Sequence, residues 1–494
     1  MASANVIRTI SVGVGGVLAA GLVAAMPAAA GSAPRSGNDP GAVSAEVTAA
    51  DFGAKSCNKI AGTATPSAAG ADVSGGPFAI GRDYLRTFYP RWFTYYQAEI
   101  SPCNKLLGPR RVTPTYRAVV AINVDTVYTS STIDVSQEPV IVTVPAADTI
   151  FSVLQLDGYG TVLSGIPSNT PGAYAITGPS WTGTLPAGVT EVRMPYDTTI
   201  IIFRADKYTV DGVDKRQAAR TFRTSLRLAP LSDYLNNSDA GPPRIVPSAV
   251  FGAPFKTAAD QMVTKTPRKF LRQLQTALAA RTTQPKTAKE AALAKRFDTL
   301  FAKKRNRARL AEGARAAHGD LVGNYLDGTL PKSQWVHFDD MGQWAATRQG
   351  YLDRSSITEY IQFGNNLSAA AYFQAFNDKQ GRTLKGRNVY QLKLRKKQIP
   401  TVKRFWSLTA YTPKTVELVR NRERKYVVAS YTKNLVTAKD GSVTIVMANK
   451  RPKGTPKANW LPIPKGQFNV MLRAYGPEGD VATGDYTPPP VRRR

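Results

Sequence analysis

Six polar residues stand close together in the first third of the 494-residue chain: Asn123, Asp125, Tyr128, Asp134, Gln155 and Asp157. Asn123 and Asp125 are two apart, as are Gln155 and Asp157, so within strands each pair would share a face. Two such strands lying side by side would converge carboxylates fit for acid–base chemistry or for a hard cation such as Ca²⁺. Asp125 and Asp157 are then the candidate catalytic groups, with Tyr128 a hydrogen-bond donor and Asn123 and Gln155 ligand-binding groups. The competing reading is that Asp and Asn cap turns and bond backbone at strand ends. The sequence leaves both open.

A second group lies near the C-terminus. Phe405, Trp406, Tyr411, Trp460 and Tyr475 are aromatic, and Arg404, Arg422, Asn459 and Arg473 are their polar neighbours in sequence. Aromatics beside cationic groups can line a groove for an acidic ligand, which makes Trp406, Arg422, Trp460 and Arg473 binding candidates. The alternative is that they form the inward face of a sandwich. His318 and His337 are the only histidines, so a His-rich zinc site is excluded and no metal ligand set is assigned. His337 has acidic neighbours in Trp335-Val-His-Phe-Asp-Asp340 and is the better acid–base candidate, against a surface or capping role. Gly-x-Ser-x-Gly, His-Glu-x-x-His and a phosphate-binding P-loop are all missing.

The elements that must position these residues change character along the chain. Helical spacing starts near Ile80, with Tyr84, Leu85, Phe88, Trp92, Phe93 and Tyr96 at threes and fours. From Tyr116 to Phe203 short β runs alternate with Gly, Pro and Asp, among them Ala118-Val-Val-Ala-Ile122, Phe151 to Leu156 and Thr199-Ile-Ile-Ile-Phe203. Asp214 to Leu228 reads as a helix, and Asn236 to Pro254 as a Pro/Gly/Asn-rich connector. A basic helical region follows, divided at Pro285, and Ser355 to Phe376 reads as a further helix. Strand-like runs return from Asn388 onward, with Asp440-Gly441 as a hairpin signal. The expected class is α+β and mainly β: two antiparallel sandwich or jelly-roll-like lobes with a helical layer between them.

The formal net charge of +30 is concentrated in two stretches. Residues 264–315 hold 15 Lys/Arg against 3 carboxylates, and residues 379–433 hold 16 against 2. Such a surface attracts polyanions and responds to salt. Arg268, Lys269, Arg272, Lys303, Lys304, Arg305 and Arg307 are the candidate contacts, for an anionic envelope polymer or lipid head groups, with nucleic acid as another polyanion. The bland counterpart is a solubilising face without a dedicated partner.

Residues 1–30 read as a cleaved secretory signal: Arg8, an apolar run from Thr9 to Met26, and the small residues Ala28-Ala29-Ala30. Residues 31–76 form an Ala/Gly/Ser/Pro-rich leader, and no later stretch is apolar enough to cross a membrane. The expected location is extracytoplasmic, where an isolated pair such as Cys57 and Cys103 is expected to form a disulfide.

Two blocks carry a family resemblance. Asn123-Val-Asp-Thr-Val-Tyr128, Ile133 to Pro139, Phe151 to Asp157 and Gly178-Pro-Ser-Trp181 with Leu185-Pro-Ala-Gly188 resemble the domain of unknown function 1254. Phe405-Trp-Ser-Leu-Thr-Ala-Tyr411, Asp440-Gly441, Asn459 to Phe468, Leu472-Arg-Ala-Tyr475 and Pro488-Pro-Pro490 resemble the companion domain of unknown function 1214. The resemblance implies a two-lobed, largely β protein, often exported by bacteria, and no agreed activity. Asp148-Thr-Ile150 stands where members often carry an Arg, and the Lys/Arg-laden middle is unusual for the family. The implied organisation is an N-terminal β-rich domain over 77–235, a connector and basic helical region over 236–350, and a C-terminal β-rich domain over 351–490. The function read from all this is binding of an anionic ligand or polymer by an envelope protein. The alternative is a carboxylate- or metal-dependent hydrolase or lyase with its site in the N-terminal lobe.

Overall fold

The computed structural model describes residues 56–60, 73–109, 111–117, 119–237, 245–247 and 255–494. The signal sequence, most of the leader and parts of the connector lie outside them. Helix α1 (Pro77–Glu99) follows a short 3-10 turn at Cys57–Lys59 and has Pro77 at its first turn, where a missing N–H is harmless.

The first sandwich is built from β1 (Leu107–Gly108), β2 (Thr126–Asp134), β3 (Val140–Val144), β4 (Phe151–Leu156), β5 (Val162–Leu163), β6 (Gly172–Thr177), β7 (Val189–Arg193) and β8 (Thr198–Asp206). After helix α2 (Arg216–Ser225) come β9 (Arg227–Pro230), α3 (Leu231–Asn236) and β10 (Val246–Pro247). One sheet has the order β10-β1-β2-β8-β4-β5 and the other β7-β6-β3-β9. Strict alternation in β8 explains how they stack. Ile201, Phe203 and Ala205 point into the core shared with Val140, Val142, Val144 and Ile176, which leaves Ile200, Ile202 and Arg204 on the opposite face.

Helices α4 (Phe255–Lys265), α5 (Pro267–Ala279), α6 (Ala288–Ala302) and α7 (Arg307–Asp327) form a layer around α1. Their apolar stripes meet in one cluster in which the Tyr84 and Phe297 rings stack at 3.6 Å. Two glycines allow α1 and α7 to cross closely. A Cβ on Gly81 would lie 2.2 Å from the Leu310 carbonyl oxygen, and one on Gly313 would lie 2.0 Å from that of Phe78.

After β11 (Trp335–Val336) and α8 (Arg348–Tyr360) the second sandwich follows: β12 (Ala370–Ala375), β13 (Tyr390–Leu394), β14 (Val402–Tyr411), β15 (Val427–Ala429), β16 (Val443–Ala448), β17 (Trp460–Pro462) and β18 (Asn469–Pro477). Helix α9 (Gly479–Thr483) and β19 (Arg492–Arg493) close the chain. Its sheets run β11-β12-β18-β14-β15 and β17-β16-β13-β19 around a second core holding Leu392, Trp406, Leu408, Ile445 and Leu472. The class is therefore α+β. Its pairings are antiparallel apart from three short parallel ones, β1 with β10, β6 with β7 and β16 with β17.

Three local expectations are corrected. Leu228 belongs to strand β9, because its neighbour β3 supplies a ladder that the helix could not. Residues 370–375 are strand and not helix, being paired on both sides by β11 and β18. The run around Val119 to Ile122 is no strand: Ala121 takes φ +49°, and its amide donates to Val416 (3.0 Å) in place of a ladder.

Candidate functional site

The sheet faces that are not used by the two sandwich cores look toward each other across the lobe boundary. On the first lobe, Tyr128 lies directly opposite Arg204 in the β2–β8 register. The guanidinium sits 5.5 Å from the centre of the tyrosine ring. On the second, Tyr372 of β12 and Ser407 of β14 both flank Arg473 of β18, and Tyr475 follows two residues later on the same face. The irregular segment through Val119 to Asn123 fills the gap between them. Together these walls line a partly open cavity of about 140 Å³.

Charge in this cavity is one-sided. Arg204 (5% exposed) and Arg473 (2% exposed) line it, and among the described residues no Asp or Glu does. Neither arginine has an ion-pair partner among the described residues. Arg204 Nη1 donates to Asn365 Oδ1 at 3.2 Å, and Arg473 Nη2 donates to the Ala121 carbonyl. Arg473 Nη1 is buried with no partner. Burial disfavours the Arg473 charge, but the surrounding phenols and the buried Asp125 carboxylate, which lies outside the lining, outweigh it and raise its pKa above the ordinary value. The tyrosine hydroxyls add donors. Tyr475 Oη accepts from Asn123 Nδ2 at 2.5 Å, and Tyr372 Oη accepts from Asn365 Nδ2 at 2.6 Å, so each phenolic hydrogen remains to be given. Burial raises the pKa of Tyr475 well above the ordinary phenol value, and that of Tyr128 as well, which keeps both protonated. The remaining walls are apolar, chiefly Ile122, Ile200, Ile202, Ile361 and Phe363.

The nearby carboxylates are spent on holding the lobes together. Asp125 accepts from Ser407 Oγ at 2.9 Å and from the Tyr431 hydroxyl, both from the second lobe. Asp206, which is buried, is paired with the largely covered side chain of Arg404. Burial raises the Asp206 pKa, and the guanidinium opposes that rise. Lys207, pushed down to about 8 by burial, donates to the Val124 carbonyl at 2.6 Å.

The structure thus gathers Asn123, Tyr128 and Arg473 at one cavity and disperses the other candidates. Asn123 and Asp125 precede β2 in a turn, where Asn123 Oδ1 accepts the Asp125 amide at 3.1 Å. The convergence of Asp125 with Asp157 does not occur, because β8 lies between β2 and β4. Thr126 pairs with Asp206 at one end of β8, and Leu156 with Ile200 toward the other; Asp125 and Asp157 lie one residue beyond each, about 27 Å apart along the strand at 3.4 Å per residue. Asp157 caps a turn, accepting the Tyr159 and Thr161 amides at 2.8 Å each. Gln155 accepts the Ile166 amide at 2.7 Å, and Asp134 pairs with Arg281. Trp406 packs in the second core, Trp460 Nε1 donates to the Ala448 carbonyl at 2.8 Å, and Arg422 is exposed in a turn. His337 Nδ1 lies 2.8 Å from the Tyr372 carbonyl oxygen, and burial lowers its pKa.

Among the basic candidates, Arg268, Lys269, Arg272, Lys303, Lys304 and Arg305 are exposed and make no ion pair with a described residue. Arg307 differs: its guanidinium donates to the Phe301 and Ala302 carbonyls at 2.9 and 3.1 Å, closing the C-terminus of α6. Cys57 and Cys103 are joined as a disulfide.

Sequence reasoning missed Arg204, Tyr372 and Asn365. An arginine inside the apolar run of β8 was the available signal for the first. It also missed a buried group in the helical layer, where ligand atoms of Asp260, His318 and Glu359 lie within 4.8 Å of one another. The Lys256 ammonium bonds both carboxylates and Tyr89 donates to Glu359 at 2.5 Å, so the cluster carries its own cation. Burial pushes Glu359 up to about 7.

Comparison with known proteins agrees with this architecture. The crystal structure of the VPA0106 protein from Vibrio parahaemolyticus superposes with a TM-score of 0.56 at 20% identity, covering 85% of this chain and all of that one. That likeness is one of fold. A crystal structure of an uncharacterized protein from Burkholderia cenocepacia aligns at 15% identity over 84% of this chain and 92% of its own, with a TM-score of 0.42. No curated protein matches. Residues 103–230 match the model described as protein of unknown function (DUF1254), and residues 369–479 match protein of unknown function (DUF1214). The cavity lies where these two matched segments meet, and the chain carries a segment similar to DUF1254 followed by one similar to DUF1214.

Proposed function

We propose that this protein binds a small anionic molecule in the cavity between its lobes. The observation that carries the reading is the pair Arg204 and Arg473: two buried guanidiniums on one cavity with no carboxylate among the described residues of its lining. An anionic guest would add the negative charge that the described lining lacks. The mixed lining, with donors on the tyrosines and isoleucines elsewhere, suits a ligand with one charged end and an apolar body. The test is thermal unfolding of the protein with benzoate, acetate and inorganic phosphate against a chloride control. A dose-dependent rise in Tm with at least one anion, abolished in Ile202→Trp, supports the reading; no rise with any of them sinks it.

A second, surface-borne activity is favoured by the unpaired cations of α5 and of the turn after α6. We propose that Arg268, Lys269, Arg272, Lys303, Lys304 and Arg305 give a diffuse, salt-sensitive attraction for an anionic polymer or membrane surface. Export directed by residues 1–30 would bring that face to such material. Heparin retention that does not fall between 50 and 300 mM salt would rule this out.

A further inference from the structure

We infer that the guest of the interlobe cavity is an anion with a slim aliphatic tail, its head against Arg204 and its tail laid along β8 over Ile202 and Ile200. This rests on the cavity being a ligand site, and adds the ligand's class and direction.

The head follows from the state of the two arginines. Arg473 spends Nη2 on the Ala121 carbonyl and its Nη1 is fully buried, so it braces the wall. Arg204 makes one hydrogen bond, from Nη1 to Asn365, and none of its nitrogens is among the fully buried unpaired atoms. Its Nε and Nη2 have no partner among the described residues and remain for an anion in the cavity that Arg204 lines.

The direction follows from the strand. Arg204, Ile202 and Ile200 share the outward face of β8, and all three line the cavity. Within about 14 Å, at 3.4 Å per residue, this floor changes from charged to apolar. The segment after α8 has the same gradient: Asn365, which holds Arg204, also donates to the Tyr372 hydroxyl at 2.6 Å, whereas Phe363 packs in the cluster of Ile202, Leu154 and Leu156.

The apolar track is narrow. On one side β2 places Tyr128, Ser130 and Thr132 opposite Arg204, Ile202 and Ile200. On the other, Leu154 and Leu156 of β4 are buried in the Phe363 cluster. The far end is polar. Thr94 lines the cavity and donates to the Gly158 carbonyl at 2.7 Å, two residues beyond the Leu156 that pairs with Ile200. A track one strand wide suits an unbranched chain better than a ring.

The experiment is calorimetric titration of the full chain at pH 7 with acetate, butanoate, hexanoate, octanoate, hexan-1-ol and inorganic phosphate. Affinity is expected to rise roughly two- to fourfold per methylene from butanoate to octanoate. Hexanoate should bind about tenfold tighter than hexan-1-ol. A flat acid series, or phosphate binding as tightly as octanoate, overturns the tail and leaves the cavity an anion site. Failure of every probe defeats the ligand site itself. Arg204 has no ion pair among the described residues, so Arg204→Met breaks none; it should weaken octanoate about tenfold and leave hexan-1-ol unchanged. Parental octanoate affinity in that variant overturns the head assignment. Ile200→Thr should weaken octanoate about threefold with butanoate unchanged, and equal octanoate affinity counts against the track.

Discussion

Arg473 donates from Nη2 to the carbonyl oxygen of Ala121, a residue 352 positions earlier in the chain. The alanine so held is in the left-handed region at φ +49°, a conformation that costs roughly 1 kcal/mol or more for a residue with a Cβ. Tyr411 adds a hydrogen bond to the next carbonyl, of Ile122, at 2.7 Å. The second lobe thereby imposes an unfavourable backbone on the first, and that backbone forms one wall of the cavity.

Replacement at this position should read out the strain. Ala121→Gly removes the penalty along with a buried methyl, and its unfolding free energy is expected within about 1 kcal/mol of the parent. Ala121→Val places a β-branched side chain where the backbone rejects it and should lose more than about 2 kcal/mol. Urea unfolding of both variants decides the matter: equal stability of the two would show that the residue is not held left-handed.

The Asp206–Arg404 pair, with the carboxylate buried and the guanidinium largely covered, joins β8 to β14. Asp206→Asn leaves the guanidinium without its counter-charge and is expected to cost about 3 kcal/mol. The double variant Asp206→Asn with Arg404→Met should recover part of that loss. A double-mutant cycle giving purely additive losses would contradict a direct pairing.

Acid should loosen the helical layer through Asp260. Burial raises its carboxyl, but the His318 hydrogen bond and the Lys256 ammonium outweigh it and draw the group down to about 2. The folded value lies below the ordinary one near 3.8, so the stabilisation is complete above that value and is lost as pH falls toward 2. After allowance for the group's partial exposure, the contribution is about 1 to 2 kcal/mol. Stability measured by urea between pH 5 and pH 2 should fall less steeply in Asp260→Asn; an unchanged slope would show that the carboxylate is not involved.

Gly313→Ala tests the helix crossing. Its new methyl would sit 2.0 Å from the Phe78 carbonyl oxygen and 2.8 Å from the Arg82 amide nitrogen, both backbone atoms that cannot turn aside. The helices must part, at a cost of about 3 kcal/mol by the usual penalty for overpacking. A melting temperature equal to the parent's would disprove the close approach.

Much of this architecture could be read from residue spacing because its causes are local. The helix carrying Tyr84, Phe88 and Trp92 shows its period plainly, and the alternation of β8 determines which side chains enter the core and which face outward. The class, the family order and the grouping of Asn123 and Tyr128 followed from such patterns. What failed was non-local. Residues 370–375 are rich in alanine and read as helix until two neighbouring strands claim them. Asp125 and Asp157 looked like partners because nothing in the spacing reveals that β8 inserts between their strands. Arg204 and Arg473 lie far apart in the chain, and only the closure of the lobes makes them neighbours on one cavity. The roles of Arg307 as a helix-end donor and of Trp460 as a core residue depend likewise on contacts that composition does not record.

The hydroxyls of Ser407 and Tyr431 are the partners of a carboxylate that belongs to the other lobe. Cutting the chain between the two family segments would therefore leave each half with a wet scar: an acid and an apolar ridge from Val120 to Ile122 on one, a lone guanidinium among tyrosines on the other. Neither segment is a module to be transplanted or expressed by itself.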